Sequence, residues 1–166
     1  MKILVLSDSH SGLHFMRSAI RAVKPDALIH LGDFYDDGDE LHEENRQIPI
    51  YQVAGNCDWY SSPPGARDIL IEPVCGVELY MTHGHRHWVK SGTDQLIEAA
   101  RETNAQAVLY GHTHIADCRK DGDLWVLNPG AAGSWGGSAG IIEVDSGKIL
   151  RCFNFRYGDQ EELKCS

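Results

Sequence analysis

Lys2-Ile3-Leu4-Val5-Leu6-Ser7-Asp8-Ser9-His10 opens the chain with an apolar run that breaks on polar residues, and Leu13, Met16, Ile20 and Val23 then recur at intervals of three, four and three. An unbroken run rich in branched residues is the mark of a strand buried on both faces, and the later spacing is the helix period. The stretch therefore predicts strand, polar loop and helix, with Pro25 ending the helix. Ala27 to Leu31 reads as a second buried strand and Ile48 to Ala54 as a third beyond a polar segment, a repeated layout that predicts parallel pairing.

Beyond residue 69 the pattern changes. Ile69-Leu70-Ile71 and Val77 to Met81 are apolar runs separated by Pro73 and Gly76, which predicts an antiparallel pair. Leu96, Ile97 and Ala100 mark a helix ending near Thr103, and Ala107 to Tyr110 is another buried strand. Ile115 to Arg119 and Leu124 to Leu127 flank Asp121-Gly122, while Gly140 to Val144 and Ile149 to Phe153 flank Ser146-Gly147; both glycine-bearing turns predict hairpins. Parallel and antiparallel pairs together require mixed sheets. No internal repeat, linker or low-complexity tract divides the chain, and its 166 residues fit one domain over 1–166.

Composition narrows the function classes. The chain is 42% hydrophobic and 23% charged, ordinary for a globular protein. Five cysteines (Cys57, Cys75, Cys118, Cys152, Cys165) make an odd number without a CxxC pair, so reduced thiols are expected rather than a disulfide framework or a thiolate zinc site. The N-terminus meets Ser7-Asp8 before any apolar stretch of signal length, and no run approaches a membrane span, which makes a cytoplasmic location the expectation and a membrane partner unexpected. A net charge of -9 argues against a basic groove for duplex nucleic acid, where lysine and arginine must neutralise phosphates. A small phosphorylated substrate is unaffected, because its approach depends on the local field.

The chemistry lies at the strand ends. Asp8-Ser9-His10, Gly32-Asp33, Gly55-Asn56, Thr82-His83-Gly84-His85 and Gly111-His112-Thr113-His114 each follow an expected apolar strand. In an α/β sheet the carboxyl ends of neighbouring strands share one rim, so these clusters converge there. In an extended segment residues i and i+2 point the same way, so Asp8 with His10 and His112 with His114 would each present two donors to one cavity. A glycine before Asp33, Asn56 and His112 would let the backbone turn sharply out of the strand. One Asp-x-His or His-x-His is weak alone; five desolvated polar clusters in order would be costly unless they bind something. Mixed carboxylate, imidazole and amide donors suit manganese, iron, zinc or nickel better than calcium.

These blocks, D-x-H, G-D, G-N, H and G-H-x-H between Asp8 and His114, resemble the calcineurin-like metallophosphoesterase superfamily. The shortness of the chain, Gly55-Asn56-Cys57-Asp58, Thr82-His83-Gly84-His85 and Asn128-Pro129-Gly130 are similar to its small prokaryotic phosphodiesterase branch. The resemblance implies a four-layer α/β sandwich of two mixed β-sheets flanked by helices. It also implies two divalent transition-metal ions, manganese first with nickel, zinc or iron as alternatives. Asp8, His10, Asp33 and His114 would hold one and Asp33, Asn56, His83 and His112 the other, with Asp33 bridging. The chain departs from many members at Cys57, where they have a histidine assigned to the leaving group or the phosphate.

The implied function is a phosphodiesterase that attacks phosphorus with a hydroxide bridging the two ions, since bound cations pull the pKa of water from 15.7 toward roughly 7. His85 is the catalytic candidate, either donating to the leaving oxygen or orienting His83. The alternatives are a non-catalytic metal-binding protein-interaction scaffold of the same fold, as a retromer subunit of the superfamily is regarded, and a phosphomonoesterase or nuclease on the same metals. A small phosphodiester is the expected partner, and the resemblance makes a homo-oligomer plausible. The acidic run Asp36, Asp37, Asp39, Glu40, Glu43, Glu44 reads as a solvated loop or helix face. Trp59, Trp88 and Trp135 lie near the motif loops and could wall a pocket, fill a core or meet a second subunit; Gly130, Gly133, Gly136 and Gly137 read as a flexible connection.

Overall fold

The computed structural model describes residues 1–133, 137–156 and 158, so Trp135, Gly136 and Cys165 lie outside the described residues. Ten strands form two five-stranded mixed sheets. In the first, β1 (Lys2–Leu6), β2 (Ala27–His30) and β3 (Ile50–Gln52) run parallel, and β9 (Ser138–Asp145) and β10 (Lys148–Arg156) add antiparallel on the other side of β1. In the second, β4 (Ile69–Val74) pairs antiparallel with β5 (Val77–Thr82), β5 parallel with β6 (Ala107–Leu109), β6 parallel with β8 (Leu124–Asn128), and β8 antiparallel with β7 (Asp117–Asp121).

Alternation along β1 sets the layers. Ile3 and Val5 face the second sheet, joining Ile29, Leu79, Met81, Leu109, Leu127 and Ile142 in the core between sheets. Leu4 and Leu6 face outward, where helix α1 (Leu13–Val23) covers them with Phe15, Met16, Ala19, Ile20 and Val23. Helix α3 (Asp94–Arg101) does the same for the second sheet, packing Leu96, Ile97 and Ala100 on Tyr80, Val108 and Val126. Burial on both faces explains why these strands read as continuous apolar runs rather than as alternating ones. The result is the expected sandwich of two mixed sheets between helices. Among the described residues, no helix is long and apolar enough to cross a membrane.

Three elements differ from the sequence reading. The polar segment after β2 contains helix α2 (Tyr35–Glu44), which buries one apolar side chain, Leu41, and so carries no hydrophobic stripe to read. The third strand is shorter than Ile48 to Ala54, because Ile48 N–H still closes a turn on the Asn45 carbonyl and Ala54 N–H leaves the sheet for the Arg67 carbonyl. Strand β7 begins at Asp117 rather than Ile115, because Ile115 N–H is held by the Thr113 hydroxyl in the preceding loop.

Candidate metal centre

All five polar clusters follow strands: β1, β2, β3, β5 and β6 run in parallel register within their sheets, and their carboxyl ends meet at one rim. Asp8, His10, Asp33 and His114 each offer a ligand atom within 4.8 Å of the others, the carboxylates buried and the imidazoles exposed. Beside them His83 Nε2 lies 3.2 Å from Asn56 Oδ1, 3.2 Å from His112 Nδ1 and 3.4 Å from Asp33 Oδ1. All seven donors named from the sequence thus converge, in two groups that share Asp33.

The local geometry is not the extended one expected. Asp8 (φ 52°), His10 (φ 42°), His112 (φ 66°) and His114 (φ 60°) are left-handed, as is Asp33 (φ 56°). Aspartate and histidine tolerate that region better than bulky residues, yet each such position costs of order 1–3 kcal/mol and persists only where its surroundings over-determine it. Those surroundings are visible. Asp8 N–H donates to the Gly32 carbonyl at 3.0 Å, Gly133 N–H to the Asp8 carbonyl at 3.2 Å, and Gly111 N–H to the His83 carbonyl at 3.0 Å. The glycines also act differently from one another. Gly32 has φ 91°, whereas Gly55 and Gly111 are needed for close approach: a Cβ would overlap Asp33 Oδ1 at the first and the Ser7 hydroxyl at the second. Gly133, read as part of a flexible connection, instead presses on the Ser9 carbonyl with no room for a side chain.

Three supporting residues were given no role from the sequence. Asp58, 1% exposed, accepts backbone N–H bonds from Asp33 (2.9 Å), Phe34 (2.7 Å), Tyr35 (2.9 Å) and Gly55 (2.7 Å). One carboxylate thereby caps the start of α2 and ties the Asp33 loop to the Asn56 loop. Asp37, part of the run expected to be solvated, is buried instead and accepts from the Ser9 hydroxyl (2.7 Å) and Ser11 N–H (2.8 Å), bracing the Asp8–His10 loop; Asp36, Asp39, Glu40, Glu43 and Glu44 are exposed as expected. Asn128, at the end of β8, donates to the Gly111 carbonyl and the Thr113 hydroxyl, both at 3.0 Å, on either side of His112. The sequence signal existed for two of the three: Asp58 and Asn128 lie inside motif blocks that the family resemblance had picked out.

The electrostatics test whether cations fit. Asp8 Oδ2 accepts from the Ser7 hydroxyl (2.6 Å) and His112 N–H (3.1 Å), but Asp8 Oδ1 is buried without a hydrogen-bond partner. His114 Nε2 comes within 3.1 Å of that oxygen without the alignment of a hydrogen bond. His83 Nδ1 lies 2.7 Å from the Leu31 carbonyl, which only accepts, so Nδ1 carries a proton and Nε2 is the ring nitrogen that faces the cluster and would be offered to a cation. Burial opposes charge on His83, but Asp33, Asp8 and the Leu31 carbonyl outweigh it and raise its pKa; burial likewise opposes charge on Asp33, and His83 with Cys57 N–H holds it well below the usual carboxylate range. Buried anions and lone pairs facing one another call for positive charge, and divalent cations fit this donor set.

Three neighbours remain. His112 is pushed down to about 4, first by burial and then by His83 and Lys90, so it is a neutral donor near pH 7. His85 is half-buried, its ring 5.5 Å from that of His83 and 6.1 Å from that of His112, with Nδ1 buried and unpartnered. Because the Leu31 carbonyl already orients His83, the orienting role considered for His85 is filled. The Cys57 thiol is pushed up to about 11, by burial first and then by Asp33, so it stays protonated; its backbone N–H donates to Asp33 Oδ1 at 2.9 Å.

Known proteins resemble this chain in sequence and in fold. A phosphodiesterase of Methanocaldococcus jannaschii is 31% identical over 144 residues, covering 78% of this chain and 83% of its own. A Streptococcus pneumoniae protein described as a predicted phosphoesterase superposes with TM-score 0.72 at 25% identity, over 93% of this chain and 97% of that one. Vps29 of Entamoeba histolytica, complexed with zinc, has the same fold (TM-score 0.70, 17% identity, 95% and 100% covered). Residues 1–147, which hold every donor and its supporting residues, match the calcineurin-like phosphoesterase superfamily domain, and the chain belongs to that superfamily.

Proposed function

We propose that the chain hydrolyses phosphate diesters with two divalent transition-metal ions, manganese first, held by Asp8, His10, Asp33 and His114 on one side and by Asp33, Asn56, His83 and His112 on the other. The observation that carries this reading is the pair of donor groups sharing Asp33, around a buried Asp8 oxygen that no hydrogen bond satisfies. Ions bound there would supply a nucleophilic water at neutral pH and neutralise charge on the phosphoryl oxygens. The chain's own work is positioning. Left-handed backbone and the Asp58, Asp37 and Asn128 anchors hold the donors in place before substrate arrives, so little reorganisation accompanies the reaction.

His85 is the residue placed to meet the phosphate or the leaving oxygen. Burial, then the charge of His83, keeps its pKa below the ordinary imidazole value, so near pH 7 it offers a hydrogen bond rather than a full proton. With Cys57 also a weak acid, diesters with stable leaving anions are the favoured substrates. A cytoplasmic location and assembly into a homo-oligomer belong to the same reading.

The deciding experiment strips the protein with chelator, reconstitutes it with single metals, and assays a monoester, a cyclic diester, a linear diester and an oligonucleotide side by side. Restored hydrolysis, best on diesters, is expected. A protein-interaction scaffold would bind metal and turn over none of them.

A further inference from the structure

We propose that Trp59 and Trp88 form a recognition site for a flat aromatic group on the retained, non-leaving side of the phosphate, making the enzyme selective for phosphodiesters whose retained ester group carries a nucleobase or a comparable ring. The inference rests on the phosphodiesterase reading and adds its substrate class. Both indoles line one open cleft of about 570 Å³, a size within the range of small-molecule pockets. Asn56 and His85 line the same cleft, so it opens directly onto the donor cluster. A second cleft of about 600 Å³, on the far side of the His112 loop, reaches Thr113 and Ile115 but none of the seven donors or His85.

Exposure decides what these indoles are for. Trp59 is 83% and Trp88 71% exposed, although tryptophan usually buries most of its surface. Neither contributes to the three apolar clusters of the core. Trp88 sits at φ 53° directly after the 3-10 turn His85–His87, so the segment that presents His85 also presents the indole. Arg86, ion-paired to Asp68 at 2.7 Å, places a planar guanidinium on the same wall. Flat π-faces and a guanidinium bind planar rings by stacking with little regard to ring identity, and gain much less from a small alkyl group. A phosphate at the donor cluster would leave its esterified group in this cleft.

The test compares two diesters with the same p-nitrophenolate leaving group, thymidine 5′-p-nitrophenyl phosphate and methyl p-nitrophenyl phosphate, on manganese-reconstituted protein. Sharing the leaving group removes its acidity from the comparison. The ratio of the two kcat/KM values should favour the nucleoside by about 10-fold or more, fall to within about 3-fold in Trp59→Ala or Trp88→Ala, and be largely kept in Trp88→Phe. Equal kcat/KM for both diesters in wild type overturns the inference while leaving the phosphodiesterase reading intact; hydrolysis of neither overturns both. An unchanged ratio in both alanine variants, together with a loss of oligomer by sedimentation, would reassign the indoles to a subunit contact.

Discussion

The two ends of the sandwich are built from the same strands and obey different rules. At the carboxyl ends of β1, β2, β3, β5 and β6 the loops bury carboxylates, hold aspartate and histidine in left-handed backbone, and tie one another together through Asp58, Asp37 and Asn128. At the other end three hairpin turns, Cys75-Gly76, Asp121-Gly122 and Ser146-Gly147, each place a glycine in left-handed backbone, with Cys75 and Ser146 left-handed beside theirs, and carry no buried charge. The comparison teaches that the rim is ordered by long-range polar contacts whose cost has to be offset by what it binds. The far end is ordered mainly by turn chemistry, with exposed or half-buried contacts from Arg101 to Asp121 and from Gln106 to the Gly147 carbonyl added to it. Substitutions should therefore separate: changes at the rim should move metal affinity and turnover, and changes at the far end should move stability only.

The largest effect should come from Asp33→Asn. Removing the charge shared by both donor groups should lower kcat/KM by about 10³-fold with the fold retained by circular dichroism. A loss under 10-fold would break the proposed sharing. Next is Asp58→Ala, which takes the acceptor from four N–H groups, three of them on the Asp33–Tyr35 loop far away in sequence and the fourth on nearby Gly55. It should destabilise the fold by about 2–4 kcal/mol in urea titration and weaken metal affinity by about 10–100-fold in calorimetry, though Asp58 is not itself a donor. Loss of stability with metal affinity unchanged would show that the rim does not need this anchor.

A smaller and selective effect is expected of Cys57→His. Since neither Cys57 nor His85 is a strong acid near pH 7, wild-type kcat/KM should depend steeply on leaving-group pKa across a graded series of diesters. A histidine at 57 should raise rates for poor leaving groups by about 10-fold and flatten that slope; a wild type already insensitive to leaving-group pKa would point to His85 as an effective donor. Smallest is Gly122→Ala at the far end. At φ 58° a side chain costs about 1 kcal/mol, which should appear in thermal melts with metal affinity and turnover unchanged. A change in turnover would erase the separation of the two ends.

Much of this was legible in the sequence because it is periodic or local. Doubly buried strands such as Ile3–Leu6 and Ala27–His30 announce themselves as apolar runs, α1 by its spacing, and the hairpins by Asp121-Gly122 and Ser146-Gly147. The convergence of the seven candidate donors was legible because each follows such a run. Helix α2 was not, since a helix that buries one leucine has no stripe and its start is stabilised by Asp58 from another loop. The roles of Asp37 and Asp58 were hidden for the same reason: an inward carboxylate and a solvated one look alike until the loop that supplies its donors is in place. The orientation of His10 and His114 was misread because strand periodicity was carried past the strand, into backbone that turns left-handed.

The central claim, two ions sharing Asp33, is tested most directly by titrating metal-stripped protein with manganese and measuring bound manganese per chain alongside hydrolysis of bis(p-nitrophenyl) phosphate. Two manganese ions per chain are predicted, with turnover appearing only as the second binds. Full turnover at one ion per chain, or hydrolysis that survives verified removal of metal, would contradict it.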